Sequence, residues 1–556
     1  MLYGGSVIQY LTHCTWLITI PVEFCSGMFM MNTPVPQLLL EINSPDIWHW
    51  PFFLEMARVA REYHFQGIVI NQQSLLAQLA APSPRCRPAD IINLSLARDH
   101  ALRHLQKIGE YCERHHLQLW LQGEATPDCP SLKMKFPEFF LADNDLSAFI
   151  AWFFSESIPQ ILAVLPAVRG LRLSLATPDI ADVDWQASLM ALYRGVRAAG
   201  RQLVLRDYRD TTWPRHMLRD ALAGLPGDVR ASLKATELDY RPGFAGNPNL
   251  LNLPTNHKWL ELDLWGLDYG WSLLPCYLLE EFRQRLLWLS QYPGCYPEAI
   301  TVRIDWEWLP GLPLSASVNA LNLYGLSGVV QDLSLSPEHM VHQWLQHQAA
   351  SPLPGAELGA LSGILTTSYE WSCKTPNLLG RVLQCRSQLP LNLEHALSLL
   401  HMDTRNANWA QSFQPLLPGD DTALGLQQCE LISLENERIT FLAERMHSRA
   451  LRLLPGCGLQ EPARACITGS MARAQKYSQL YTVFKYALML KLRLRKYGQN
   501  QPEIQALFRR ALGDFRQCNQ SLETWFQHHG AEHPLAFASL LNTQQIAGLI
   551  HSLEHD

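Results

Sequence analysis

The sequence predicts an α/β fold: a (β/α)8 TIM barrel followed by an all-α C-terminal domain. Three observations predict it. Short β-type runs alternate with longer helix-type runs from Gln37 to Trp306. Almost every short run ends in polar or charged residues, and after Trp344 the β signal fades into helical pattern. Repeated β-then-α alternation implies a parallel sheet with right-handed crossovers. Eight such units match a barrel, which takes about 250 residues or more. A doubly wound sheet is the competitor, but it would spread polar strand ends along an edge, whereas a barrel gathers them at one mouth.

The elements follow in order. "QLLLEIN" from Gln37 precedes "WPFFLEMARVAREYHFQ", whose apolar residues recur at helical spacing. "GIVINQQ" is followed by the helical "DHALRHLQKIGEYCERHH" and then "LQLWLQGE". The remaining strands are "GLRLSLAT", "RQLVLRDY", "VRASLKA", "KWLELDLW" and "EAITVRIDW", with helices over Trp185–Ala199 and Leu278–Ser290 among the crossovers. "SPLPGAELGALSG" reads as a linker or partly helical connection. Met471 to Tyr497 lacks Gly and Pro and reads as a helix, its Lys and Arg on a solvated face. The domain reading is an N-terminal extension over 1–36, a barrel over 37–345 and a helical domain over 346–556.

Composition narrows the class. With 47% apolar and 17% charged residues the chain is globular, and a net charge of −6 lacks the basic balance of nucleic-acid binders. The 13 cysteines form no C-x-x-C pair and suggest buried thiols in a reducing cytoplasm, not a disulfide framework or a zinc site. The first thirty residues carry no Lys or Arg, and His13, Pro21 and Glu23 interrupt their apolar run. The pattern makes neither a clear secretory signal nor a membrane span; an extension ahead of a start near Met30 or Met31 is the preferred reading, with an N-terminal helix or an odd export signal as the alternatives. No phosphate-cradling glycine pattern or dinucleotide fingerprint occurs, so no cofactor is expected.

The candidate chemistry lies past the strand ends. In "LKATELDYRPG", Lys234, Glu237, Asp239 and Arg241 crowd the end of strand six, facing Glu261 and Asp263 on strand seven. Carboxylates mixed with Lys234 and Arg206 are expensive to desolvate without purpose. Glycoside hydrolysis needs one carboxylic acid to protonate the leaving oxygen and one carboxylate to drive water or attack directly. Fixed cations beside them suggest an anionic substrate such as a uronic acid. Trp48, Trp50, Trp213, Trp265, Trp271, Trp306 and Trp308 lie just past strand ends, where flat rings can stack on sugars. Individually such tryptophans are more often packing residues, and for Glu41, Asp207 and Asp305 a structural ion-pair network is the plainer reading.

Three segments resemble the α-glucuronidases of glycoside hydrolase family 67: "LKATELDY", "WLELDLWGLDYG" and "NALNLYGLSGVVQDLSLSPEHMVHQWL". The resemblance covers about Gln37 to Leu345 and implies water activation by Asp239 and Glu261. It also implies sugar contacts from Lys234 and from Arg206 of "LVLRDY". Asp263, Asp305, Trp48 and Trp265 complete the candidate substrate-binding set. The family's small N-terminal β-domain is missing. Its general-acid glutamate after strand four is replaced here by Thr177 and Pro178 in "LRLSLATPDIADVDW". Asp179 could deputise. Glu124 after strand three is preferred, because a glutamate poised at a strand end can be partly buried and its pKa raised.

The expected activity is thus inverting hydrolysis of a uronic acid-containing oligosaccharide. The alternative is a catalytically impaired barrel that binds an acidic glycan or serves as an assembly module. A metal-dependent lyase or isomerase using Glu124, Asp239, Glu261 and a histidine is disfavoured, since the strand ends carry no histidine. No nucleic-acid or membrane partner is expected, and a homodimer through the C-terminal helices is left open.

Overall fold

The computed structural model describes residues 34–125, 132–140, 146–175, 183–207, 216–236, 242–243, 246–247, 249–255, 257–264, 273–304, 314–385, 387–401, 425–497 and 501–555. Eight parallel strands close into a barrel in sequence order. They are β1 (Gln37–Ile42), β2 (Gly67–Asn71), β3 (Gln118–Glu124), β4 (Val168–Ser174), β5 (Gln202–Arg206), β6 (Arg230–Lys234), β7 (Lys258–Asp263) and β8 (Ala299–Arg303). Closure runs through β1 and β8, with Gln37 opposite Ala299 and Glu41 opposite Arg303.

The alternation of side chains along a strand splits the barrel's apolar residues into two separate clusters. Outward residues such as Leu38, Leu40, Ile68, Ile70, Leu171, Leu173, Ile300 and Val302 pack under the surrounding helices. Inward residues Leu39, Val69, Trp120, Val204, Trp259 and Ala299 fill the floor of the barrel by themselves. Trp120 and Trp259 meet edge to face there, ring centroids 4.6 Å apart. Gly170 on β4 makes room for them, since a Cβ at that position would lie 2.3 Å from Trp120 Cζ3 and 2.5 Å from the Gln202 carbonyl oxygen. Gly170→Ala should therefore destabilise the fold by about 1–3 kcal/mol, an overpacking cost, read as a lowered denaturant midpoint at unchanged slope.

The principal helices are α1 (Trp50–Glu62), α2 (Pro88–Arg114), α3 (Trp185–Ala198), α4 (His216–Ala223), α5 (Leu279–Ser290), α6 (Ala320–Gln331), α7 (Pro337–His347), α8 (Gly355–Lys374), α9 (Leu426–Leu453), α10 (Glu461–Tyr497), α11 (Pro502–His529) and α12 (Thr543–His555). Proline in the first turn starts α1, α2, α7 and α11, where its missing N–H has no partner to lose. Between β3 and β4 the run Leu146–Ala163 is apolar enough in composition to cross a membrane. It instead buries Phe149, Phe153, Phe154, Ile158 and Leu162 against the barrel.

Two local readings gain detail: one open choice is settled and one element is added. The "SPLPGAELGALSG" stretch is helical from Gly355 onward, because Pro354 ends the extended entry and Glu357 complements the positive end of α8. The C-terminal region also contains a small hairpin, β9 (Asn377–Leu378) with β10 (Arg381–Val382), turned by Leu379 and Gly380 at φ 48° and 86°. The other described residues of that region are mainly helical, and their apolar side chains continue the same cluster that covers the barrel's outer face.

Candidate active site

Above the apolar floor, each strand contributes one inward polar residue to a belt. These are Glu41, Asn71, Gln122, Arg172, Arg206, Ser232, Glu261 and Thr301, from β1 to β8 in order. Arg172, fully buried, is its hub. Its guanidinium donates to Glu41, to Gln122 and to Thr301 Oγ1 (2.9 Å), and lies 3.7 Å from Glu261. Arg206 Nε donates to both Glu261 oxygens at 2.9 and 3.0 Å, and Ser232 adds a third bond at 2.6 Å. Asn71 donates to Glu41 at 2.8 Å. Two carboxylates thus face two guanidiniums. Burial alone would raise the carboxyl pKa values. Arg206 and Arg172 outweigh it at Glu261, and Arg172 then Arg206 outweigh it at Glu41, so both stay ionised below the usual carboxylate range.

Two residues further along each strand, the same inward direction reaches the mouth. Glu124, Ser174, Lys234, Asp263 and Arg303 occupy these positions on β3, β4, β6, β7 and β8. Lys234, Asp263 and Arg303 are buried, while Glu124 is half-buried. Burial pushes the Glu124 carboxyl up to about 7 against the opposing pull of Arg206. That value puts its titration where a general acid works at neutral pH. Beside it in register lies Ser174, fully buried, whose hydroxyl finds no hydrogen-bond partner. The Thr236 hydroxyl, just past β6, is likewise buried and unpartnered.

The candidates therefore separate by depth. Lys234, Asp263 and Glu124 hold the mouth-side inward positions of β6, β7 and β3, the first two buried there. Glu261 and Arg206, expected at the rim, lie one layer below, in the belt, and bind each other there. In that place Glu261 is fully enclosed and strongly acidic, poor properties for drawing a proton from water. Trp48 sits in a single turn over Pro45–Trp48, half-buried, its ring 5.6 Å from that of His104 on α2. Asp239, Asp179, Trp265 and Asp305 lie outside the described residues, as do Glu237, Arg241, Trp213, Trp271, Trp306 and Trp308. Among the described residues no three His, Cys, Asp or Glu side chains come together as a metal site.

Residue-pattern reasoning missed Arg172, Gln122, Ser232 and Thr301. The signal was present as one polar residue at the same inward phase in each of eight apolar runs.

No family model and no curated protein matches the chain. Among solved structures it is similar to a GH138 enzyme targeting pectin rhamnogalacturonan II. The likeness has a TM-score of 0.60 at 10% identity, covering 88% of this chain and 62% of that one. The chain thus spans less than two thirds of that enzyme's length. The likeness is one of fold, a closed eight-stranded parallel barrel with a helical C-terminal region.

Proposed function

We propose that the protein is a glycoside hydrolase that cleaves a uronic acid-containing oligosaccharide. The observation that carries this reading is Glu124: a half-buried carboxyl at the barrel mouth, titrating near 7 over a belt of fixed charge. In its protonated form, still well populated at neutral pH, it donates its proton to the leaving glycosidic oxygen. Arg206 and Glu261 form a neutral, rigid pair beneath it and need no reorganisation when charge develops at the sugar ring. Asp239 is assigned the water-activating role on the resemblance to α-glucuronidases, which also favours inversion. Lys234 is assigned the substrate carboxylate, with Asp263 as a polar neighbour. A structural neighbour that targets pectin, an acidic polysaccharide, agrees with this substrate class.

The test is a panel of uronic acid-containing oligosaccharides, rhamnogalacturonan fragments included. Wild type should release a sugar whose anomeric configuration, followed by NMR from the first turnover, is inverted. Asp239→Asn should lose activity by about a hundredfold or more, the usual scale for a general base. Turnover that survives both Asp239→Asn and Glu124→Gln would overturn the assignment.

A further inference from the structure

The segment leaving β6 is tied to the C-terminal helices through one buried carboxylate. Glu281, on α5 and 2% exposed, accepts from the Gly243 backbone N–H at 2.8 Å and from the Tyr369 hydroxyl at 2.9 Å. Arg285, one helical turn on, donates to it from Nε at 2.9 Å and pairs with it through a second nitrogen. The same guanidinium reaches the Ala235 carbonyl at 3.5 Å, next to Lys234. Gly243 adopts φ +77°, and a Cβ there would lie 3.0 Å from Cys373 Sγ on α8. Tyr369 also belongs to α8. One helix of the C-terminal region therefore packs against the backbone of this segment and, through Tyr369, holds the carboxylate that fixes it.

The base of the segment is fixed as well. Thr236 and Gly246 form an antiparallel bridge, and Asn247 donates to the Lys234 carbonyl at 3.0 Å. The segment that returns from β7 is clasped in the same manner. Arg473 of α10 donates to the Leu273 carbonyl at 2.7 Å, and Ser368 of α8 accepts from the Tyr277 N–H at 3.0 Å. Asn319 and Asn322 take both backbone groups of Cys276 (2.8 and 2.6 Å), the Leu274 carbonyl (2.9 Å) and the Leu278 N–H (2.8 Å). Backbone groups in a buried, non-helical segment must find partners. Here side chains of α6, α8 and α10 supply them.

We infer that Glu281 and Tyr369 are positioning residues through which the C-terminal helices set the segment after β6, and with it Lys234. Neither touches substrate. The inference rests on the glycosidase reading for its effect on turnover but not for its effect on the backbone. The carboxylate is shared between a hydroxyl, a peptide N–H and a guanidinium, so loss of the hydroxyl loosens one edge without emptying the site. Asp239 falls between Thr236 and Gly243 in sequence.

The experiment uses the full chain with Tyr369→Phe and Glu281→Gln. Amide exchange at Gly243 should quicken by about fivefold in Tyr369→Phe, the scale of one hydrogen bond, and by more in Glu281→Gln. Exchange in β1 and β8 should stay unchanged. On the substrate found with the panel above, kcat should fall about tenfold with KM within about threefold, as misplacement of catalytic groups predicts. Unchanged exchange at Gly243 in both variants would overturn the inference, as would quickened exchange with unchanged kcat. If wild type cleaves no member of the panel, the glycosidase reading fails, and the exchange data decide the anchoring role by themselves.

Discussion

Glu124→Gln is expected to lower turnover by about a hundred- to ten-thousandfold, the range a general acid contributes, while making the folded protein more stable above pH 7. Both effects come from the same burial. Glutamine keeps the shape of the side chain and cannot donate a proton to a leaving group. The stability effect follows from proton linkage. The folded-state pKa is about 7, raised from an ordinary 4.5, so between these values the folded state holds a proton that the unfolded chain has lost. Stability contributed by this group is therefore full below pH 4.5 and falls as pH rises towards 7. Above that, the ionised buried carboxylate costs up to about 3 kcal/mol. Glutamine removes that dependence. Thermal melts at pH 5 and pH 8 should show the variant gaining on wild type only at the higher value. A variant less stable at both, with its activity intact, would mean that Glu124 is an ordinary structural side chain.

Arg172→Met should destabilise the protein by about 3–5 kcal/mol, the cost of stranding a buried charge. The methionine leaves Glu41 without its guanidinium and removes one of two cations facing Glu261. Both carboxylates titrate below the usual range. Their stabilising contribution is therefore full above about pH 4.5 and lost as pH falls through their folded values. Arg172→Met should move that acid loss to higher pH. Adding Glu41→Leu should restore part of the stability, since replacing both partners of a buried pair by apolar groups is far milder than removing one. Urea denaturation at pH 7, followed by the acid midpoint of unfolding, reads both effects. A loss below about 1 kcal/mol, the scale of an exposed pair, would show that the belt does not act as a closed network.

The barrel was legible because its strands are buried on both faces and so appear as compact apolar runs, "GIVIN" and "AITVR" among them, between stretches of helical spacing. Glu124 was legible as well, since a glutamate ending "QLWLQGE" lies at the mouth of a barrel by topology alone. Depth was not legible. Glu261 and Asp263 share an inward face two residues apart, yet one belongs to the paired belt and the other to the layer above it, both buried. The distinction depends on how neighbouring strands are staggered, which no single run encodes. Arg172 escaped notice because its partners lie 50 to 131 residues away in sequence. Glu281 lies in the first turn of α5, where an acidic side chain is a common arrangement that gives no hint of the peptide N–H and tyrosine it binds.

The most direct measurement is the pH dependence of kcat/KM for wild type on a rhamnogalacturonan-type oligosaccharide, with Glu124→Gln alongside. Activity should decline above an apparent pKa near 7, and the residual activity of Glu124→Gln should show no such decline. Cleavage that continues undiminished to pH 9, or that runs at the wild-type rate without the Glu124 carboxyl, would contradict the assignment of this residue as the proton donor.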